Sequence, residues 1–209
     1  MELGVFSTLM VGLFLGIKHS LEPDHVIAVS TIASKSKSLF RSLLAGVFWG
    51  LGHSSVLLIV GLLIIALKFQ IPPKIESCFE MIVGMMLVYL GITSILGKKH
   101  SNYNKGIFND SSAVYMKSVA VGSIHGLAGS AALTVLALST VNNLLSAVLY
   151  ILFFGAGTII GMSCFTTALA IPIVLSVKRF DVKKTLEFAS SIVSICFGIY
   201  YLYHIVTVF

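Results

Sequence analysis

Seven consecutive residues, His19-Ser20-Leu21-Glu22-Pro23-Asp24-His25, place two imidazoles and two carboxylates inside an otherwise apolar stretch. An ionised Asp or Glu at the centre of a membrane segment costs about 2.5–3.5 kcal/mol on insertion scales, so the cluster calls for a compensating partner. A divalent cation is the strongest one available, because imidazole nitrogens and carboxylate oxygens are its natural ligands. The plainer alternative is a polar patch at a membrane–water boundary. A lone histidine would favour that alternative; a compact set around a helix-breaking proline favours an ion site. On an unbroken helix His19 and His25 would point about 120° apart, since six residues advance about 600°, and they could not share one ion. Pro23 lacks an N–H and disfavours helical geometry at Glu22. The spacing therefore predicts that the helix unwinds between His19 and Pro23 and restarts with Pro23 near its first position. Irregular backbone at membrane depth is tolerated where it lines a cavity or is buried in protein, and there His19, Asp24, His25 and freed carbonyls can converge, with Glu22 beside them.

Two further histidines are candidates. His53, in Gly52-His53-Ser54-Ser55, lies in the middle of the second apolar block, among small residues that let helices approach closely. It is read either as a further ligand or as a core histidine bonded to a serine or a carbonyl. His125, in His125-Gly126-Leu127-Ala128-Gly129-Ser130, is read as a pathway, gating or packing residue. His100 and His204 lie in a linker and near the C-terminal end, with no chemistry expected of them. Lys18 is placed to pair with Glu22 or Asp24, or to extend its charge to the membrane surface. No acidic residue other than Glu22 and Asp24 is expected deep in any helix. Imidazoles with a carboxylate suit nickel, cobalt, zinc or copper(II) better than magnesium or calcium.

The elements that must position these groups are membrane helices. Of 209 residues, 57% are hydrophobic and 11% charged, against about 25% charged in a soluble domain. Ser118 to Val177 contains no Asp, Glu, Lys or Arg at all, and uncharged runs longer than about 18 residues read as membrane spans. The net charge of +6 comes from Lys and Arg clusters between apolar blocks, where they report orientation and not nucleic-acid binding. Met1-Glu2-Leu3-Gly4 lacks the basic region of a cleavable signal peptide, so the first block is expected to be retained. Cys78, Cys164 and Cys196 fall in separate blocks without a C-x-x-C pair; they are read as small packing residues.

The apolar blocks run roughly 3–34, 41–67, 75–97, 115–140, 143–176 and 185–207. Gly16-x-x-His19-x-Leu21 recurs as Gly122-x-x-His125-x-Leu127; Gly46 and Gly52-His53-Ser54 are echoed by Gly155 and Gly161-Met162-Ser163; Glu80 and Gly91-Ile92 recur as Glu187 and Gly198-Ile199. The matches keep one order at an offset of about 106 to 109 residues. His125 thus mates with His19, but Ser130-Ala131 stand where Asp24-His25 stand in the first copy. The expected fold is an all-α polytopic membrane bundle of about six transmembrane helices. Residues 1–97 form one three-helix unit, 98–114 a polar cytoplasmic linker, and 115–209 a second unit. An odd number of helices per unit makes the repeats inverted, with a broken first helix in each. With both termini outside, inner loops collect Lys35, Lys37, Arg41, Lys98, Lys99, Lys105, Lys117, Lys178, Arg179, Lys183 and Lys184, while outer loops keep Lys68 and Lys74.

His19-x4-Asp24-His25 followed by Val26-Ile27-Ala28 resembles the signature of the nickel/cobalt permease family, and Leu51-Gly52-His53-Ser54 its second motif. The forms His-x-Leu-Glu-Pro-Asp-His and His125-Gly-Leu-Ala-Gly-Ser resemble its shorter urease-accessory nickel-transporter branch. The resemblance covers the first two helices closely and the fifth loosely, and Pro23 replaces a small residue of the larger members. It implies a nickel or cobalt permease of the cell (inner) membrane, with recognition carried by His19, Asp24, His25 and His53. No prosthetic group is implied: Ni2+ or Co2+ is the transported substrate, the lipid bilayer the surroundings, and a soluble metallochaperone a candidate partner. Two other readings stay open. One is an intramembrane metal-dependent hydrolase with Glu22 as general base; the other is a membrane accessory factor that delivers nickel to a metalloenzyme.

Overall fold

A computed structural model describes residues 2–33, 38–67, 71–100, 111–129, 144–175 and 180–208. Every element among them is a helix: α1 (Glu2–His19), α2 (Pro23–Ala33), α3 (Leu39–Leu67), α4 (Pro73–His100), α5 (Ser111–Ala128), α6 (Leu144–Leu175) and α7 (Phe180–Val208). Four of these are long and apolar enough to cross a membrane, over Leu39–Leu67, Pro73–Leu96, Leu145–Leu175 and Lys184–Thr207, and Phe6–His19 forms a shorter apolar helix. Their surface is apolar where a soluble protein's is polar. Phe14, Leu63, Met116, Tyr203 and Val206 are each more than half exposed, while Ser42, Ser94, Thr158, Thr166 and Ser194 are buried. Exposed apolar faces on this scale mark contact with lipid or another protein.

The first block breaks where Pro23 requires it. The Leu21 N–H donates to the Lys18 carbonyl and the Glu22 N–H to the His19 carbonyl, both at 3.0 Å, so α1 ends in a tightened turn. Pro23 has no N–H to continue the ladder, and the next helical bond runs from the Val26 N–H to the Glu22 carbonyl at 3.0 Å. His19 is therefore the last residue of α1, and Pro23 the first of α2.

Glycines set the packing. α3 lies against α5 and α6, α1 against α6, α4 against α7, and α2 among α3, α4, α6 and α7. A Cβ at Gly16 or Gly157 would collide with a carbonyl of the facing helix (Phe154 and Leu13, respectively), as would one at Gly122 or Gly52 (Trp49 and Val119). The α1–α6 and α5–α3 contacts thus share one form, a glycine on each helix meeting a carbonyl of the other. α3 and α6 run antiparallel, Gly50 facing Ile159 and Gly155 facing Ser54, with the Ser54 hydroxyl donating to the Gly155 carbonyl at 3.1 Å. α4 and α7 also run antiparallel, Gly91 against Ser191 and Gly198 against Gly84. Gly52 and Gly157 each face a carbonyl of the packed helix, whereas a Cβ at Gly161 would meet the Ser20 side chain. Close approach depends on which glycine faces a carbonyl, and a nearby Gly-x-Ser string does not report that.

Three expectations meet limits or corrections. Within the expected 98–114 linker, α4 reaches His100 and α5 starts at Ser111; 101–110 lie outside the described residues. So do Ser130-Ala131, the Asn142-Asn143 turn, and the orientation residues Lys35, Lys37, Lys68, Lys105, Lys178 and Arg179. The three cysteines are free and exposed on the outside of the bundle, so they do not pack its core.

Candidate metal centre

The break delivers its histidines to one place. His53, at the midpoint of α3, is fully buried, and His25 and His125 are each 2% exposed. Gly122 and Gly126 let α5 press against the Trp49–His53 backbone, which brings His125 alongside. His19 and His25, six residues apart, come within 4.6 Å between ring centroids, and His25 and His125 within 4.8 Å. The Nε2 atoms of His19 and His53 face each other at 3.2 Å. The chain's single tryptophan, Trp49, stacks on His53 with ring centroids 5.2 Å apart and planes 10° apart.

Oxygen atoms orient three of the four imidazoles. His19 Nδ1 lies 2.9 Å from Glu22 Oε1, His25 Nδ1 2.8 Å from Asp24 Oδ1, and His125 Nδ1 3.3 Å from the Val121 carbonyl. A carboxylate or carbonyl partner places the proton on Nδ1, which leaves Nε2 with a bare lone pair. Metal-binding histidines are held in the same way by outer oxygen partners. His25 Nε2, His125 Nε2 and His53 Nδ1 are buried without a hydrogen-bond partner among the described residues, and a buried acceptor left unpaired costs about 1–3 kcal/mol. Two sets of ligand atoms each lie within 4.8 Å of one another: His19, His25 and His53, and Asp24, His25 and His125. They share His25. Asp24 Oδ2 stands 3.7 Å from His125 Nε2.

All six residues singled out in the sequence meet here. His19, Asp24, His25, His53 and His125 supply the two sets, and Glu22, exposed, orients His19. Glu22 and Asp24 are thus paired with histidines instead of Lys18. His204 is exposed and stacks on Tyr200, away from the sets. A cavity of about 360 Å³ opens onto the centre, and Glu76 and Glu80 of α4 line it together with His19, Glu22, Asp24, His25 and His125. The expectation that no further acidic residue lies deep in a helix is therefore corrected by Glu80, two turns into α4. Glu76 and Glu80 are four residues apart in α4, a one-face pairing the sequence already displayed. Trp49 carried no such signal.

Over 98% of its length, and 94% of the relative's, the chain is 45% identical to the urease accessory protein UreH of Bacillus sp. (strain TB-90). It is 27% identical to the chloroplast protein FOR GROWTH AND FERTILITY 2 of Arabidopsis thaliana, over 93% of this chain but 56% of that protein. A shorter match, 24% identical over 44% of this chain and 27% of the relative, is to the high-affinity nickel transport protein of Cupriavidus necator. The chain thus spans little more than half of the chloroplast relative and about a quarter of the nickel transport protein. No family model and no solved structure matches.

Proposed function

The chain belongs to the family of the urease accessory protein UreH, and on that premise we propose that it is a multi-pass permease of the cell membrane that carries nickel or cobalt. The observation that carries this reading is the convergence of oriented, unpaired Nε2 atoms in the interior of a bundle of membrane-length helices. The match to a high-affinity nickel transport protein supports the choice of metal. His19 Nε2 and His53 Nε2, 3.2 Å apart, would be bridged by an ion with bonds of about 2.1 Å subtending an angle of about 100°, which is ordinary coordination geometry.

In this reading the ion sheds water onto His19, His25 and His53, while Asp24 and His125 form a neighbouring position. His25, common to both sets, remains a ligand as the ion moves between them. Alternating access follows from two inverted three-helix halves rocking about the centre. The reciprocal glycine contacts of α1–α6 and α5–α3, and the antiparallel α3–α6 and α4–α7 pairs, support that architecture. Six crossings require α1 with α2 to complete one span. Glu22 and Asp24 would keep their histidine partners throughout.

Purified parent chain exposed to a panel of divalent metals retains nickel or cobalt by elemental analysis, and His25→Ala, which removes the shared ligand, does not. Uptake into proteoliposomes follows the same pattern. Equal uptake by parent and His19→Ala or Asp24→Ala chains would remove the assigned site. The UreH name favours one second reading, a membrane accessory factor that hands nickel to a metalloenzyme through a soluble metallochaperone. Copurification of a soluble partner, with no uptake by the chain alone, would select it.

A further inference from the structure

We infer that Glu76 and Glu80 of α4 form an access vestibule that captures a hydrated divalent cation and passes it to the histidine centre. The inference rests on the permease reading and extends it to residues outside the two ligand sets.

Glu76 and Glu80 line the same cavity as His25 and His125. Four residues apart, they share one face of α4, where two like charges destabilise a helix. Glu76 lies in the first turn, where a carboxylate favours the helix dipole. That accounts for Glu76 but not for Glu80, which is partly buried one turn further in. Glu80 makes no hydrogen bond or ion pair among the described residues, and it shares the cavity lining with Glu76 and Asp24. Independently of these acids, the buried Nε2 atoms of His25 and His125 lack hydrogen-bond partners, so the inner end of the cavity offers lone pairs to an arriving ion. Lys18 is the basic residue on the lining, against Glu22, Asp24, Glu76 and Glu80.

A narrow acidic cavity with low-dielectric walls concentrates cations and raises their rate of arrival. Carboxylates hold hydrated hard cations through water as readily as they hold nickel, whereas imidazoles prefer the transition metal. The vestibule therefore captures divalent cations in general, and the histidine centre discriminates among them.

The test uses the full chain in proteoliposomes, with initial rates of Ni2+ uptake measured against nickel concentration, ionic strength and added Mg2+. Glu76→Gln/Glu80→Gln should raise KM about tenfold, the lower end of electrostatic rate effects. It should also flatten the salt dependence and abolish competition by Mg2+. Glu80→Asp should restore most of the parent behaviour. Nickel retained at saturation should match the parent in every variant. Unchanged KM and salt dependence in the double variant would overturn the vestibule. So would nickel retention falling in Glu80→Gln as far as in His25→Ala, because Glu80 would then be a ligand of the bound ion. A parent chain that neither retains nor transports nickel fails the permease reading itself, which is a separate outcome.

Discussion

Histidine chemistry is decided atom by atom in this centre. Glu22, Asp24 and the Val121 carbonyl each hold an Nδ1, so the Nε2 atoms of His25 and His125 are left unpartnered and that of His19 is turned toward His53. The Glu22 carboxylate pairs with His19 and with no other member of the two sets among the described residues, which makes it a probe of this orientation. Glu22→Ala should weaken nickel binding about tenfold, as removal of an outer partner typically does, measured by isothermal titration of the purified chain. An unchanged affinity would mean that His19 is held by packing alone. Trp49 supplies a second probe at this scale. It is the only tryptophan in the chain and its ring stacks on His53, so bound Ni2+ or Co2+ should quench its fluorescence. The quench should vanish in His25→Ala, which removes the ligand common to both sets. Quenching that persists there would place the ion elsewhere.

Helix interruption and helix approach matter next. Pro23→Ala returns an N–H to the ladder and removes the clash that ends α1 at His19. If α1 and α2 fuse, His19 and His25 swing apart by about 120°, and metal retention should fall severely while the chain still inserts in the membrane. Helix content by circular dichroism should rise slightly or hold. Full retention of nickel by Pro23→Ala would show that tertiary contacts alone maintain the break. On α5, Gly126→Leu drives a side chain into the His53 carbonyl, and overpacking of this kind costs about 1–3 kcal/mol. Thermal unfolding in detergent should report that loss, accompanied by weaker metal binding because His125 moves outward. A Leu at Gly126 that left both quantities at parent values would contradict the close α3–α5 approach.

For the whole molecule, the proposal of two inverted three-helix halves rests on the two antiparallel helix pairs, α3 with α6 and α4 with α7. The topology proposed from Lys and Arg placement has both termini outside, which reporter fusions at each end can check. Opposite locations for the two ends would remove the six-crossing arrangement.

The amino-acid sequence by itself determined the membrane class, the break before Pro23, and the seven-residue cluster. Each of these rests on local physics: a run of apolar side chains, an absent N–H, ligands crowded along one short stretch. His53 and His125 were legible as candidates, but nothing local told whether they met His25, 28 and 100 residues away in the chain. Only the tertiary structure decided that, together with the placement of Trp49 and the turning of Glu80 toward the cavity. It also decided that Gly52 and Gly157 each face a carbonyl of a packed helix. The reason is physical. Which faces of long apolar helices meet is settled by small residues opposing backbone carbonyls across the bundle, and such pairings leave little trace in hydrophobic patterning, because lipid-facing and buried faces are both largely apolar.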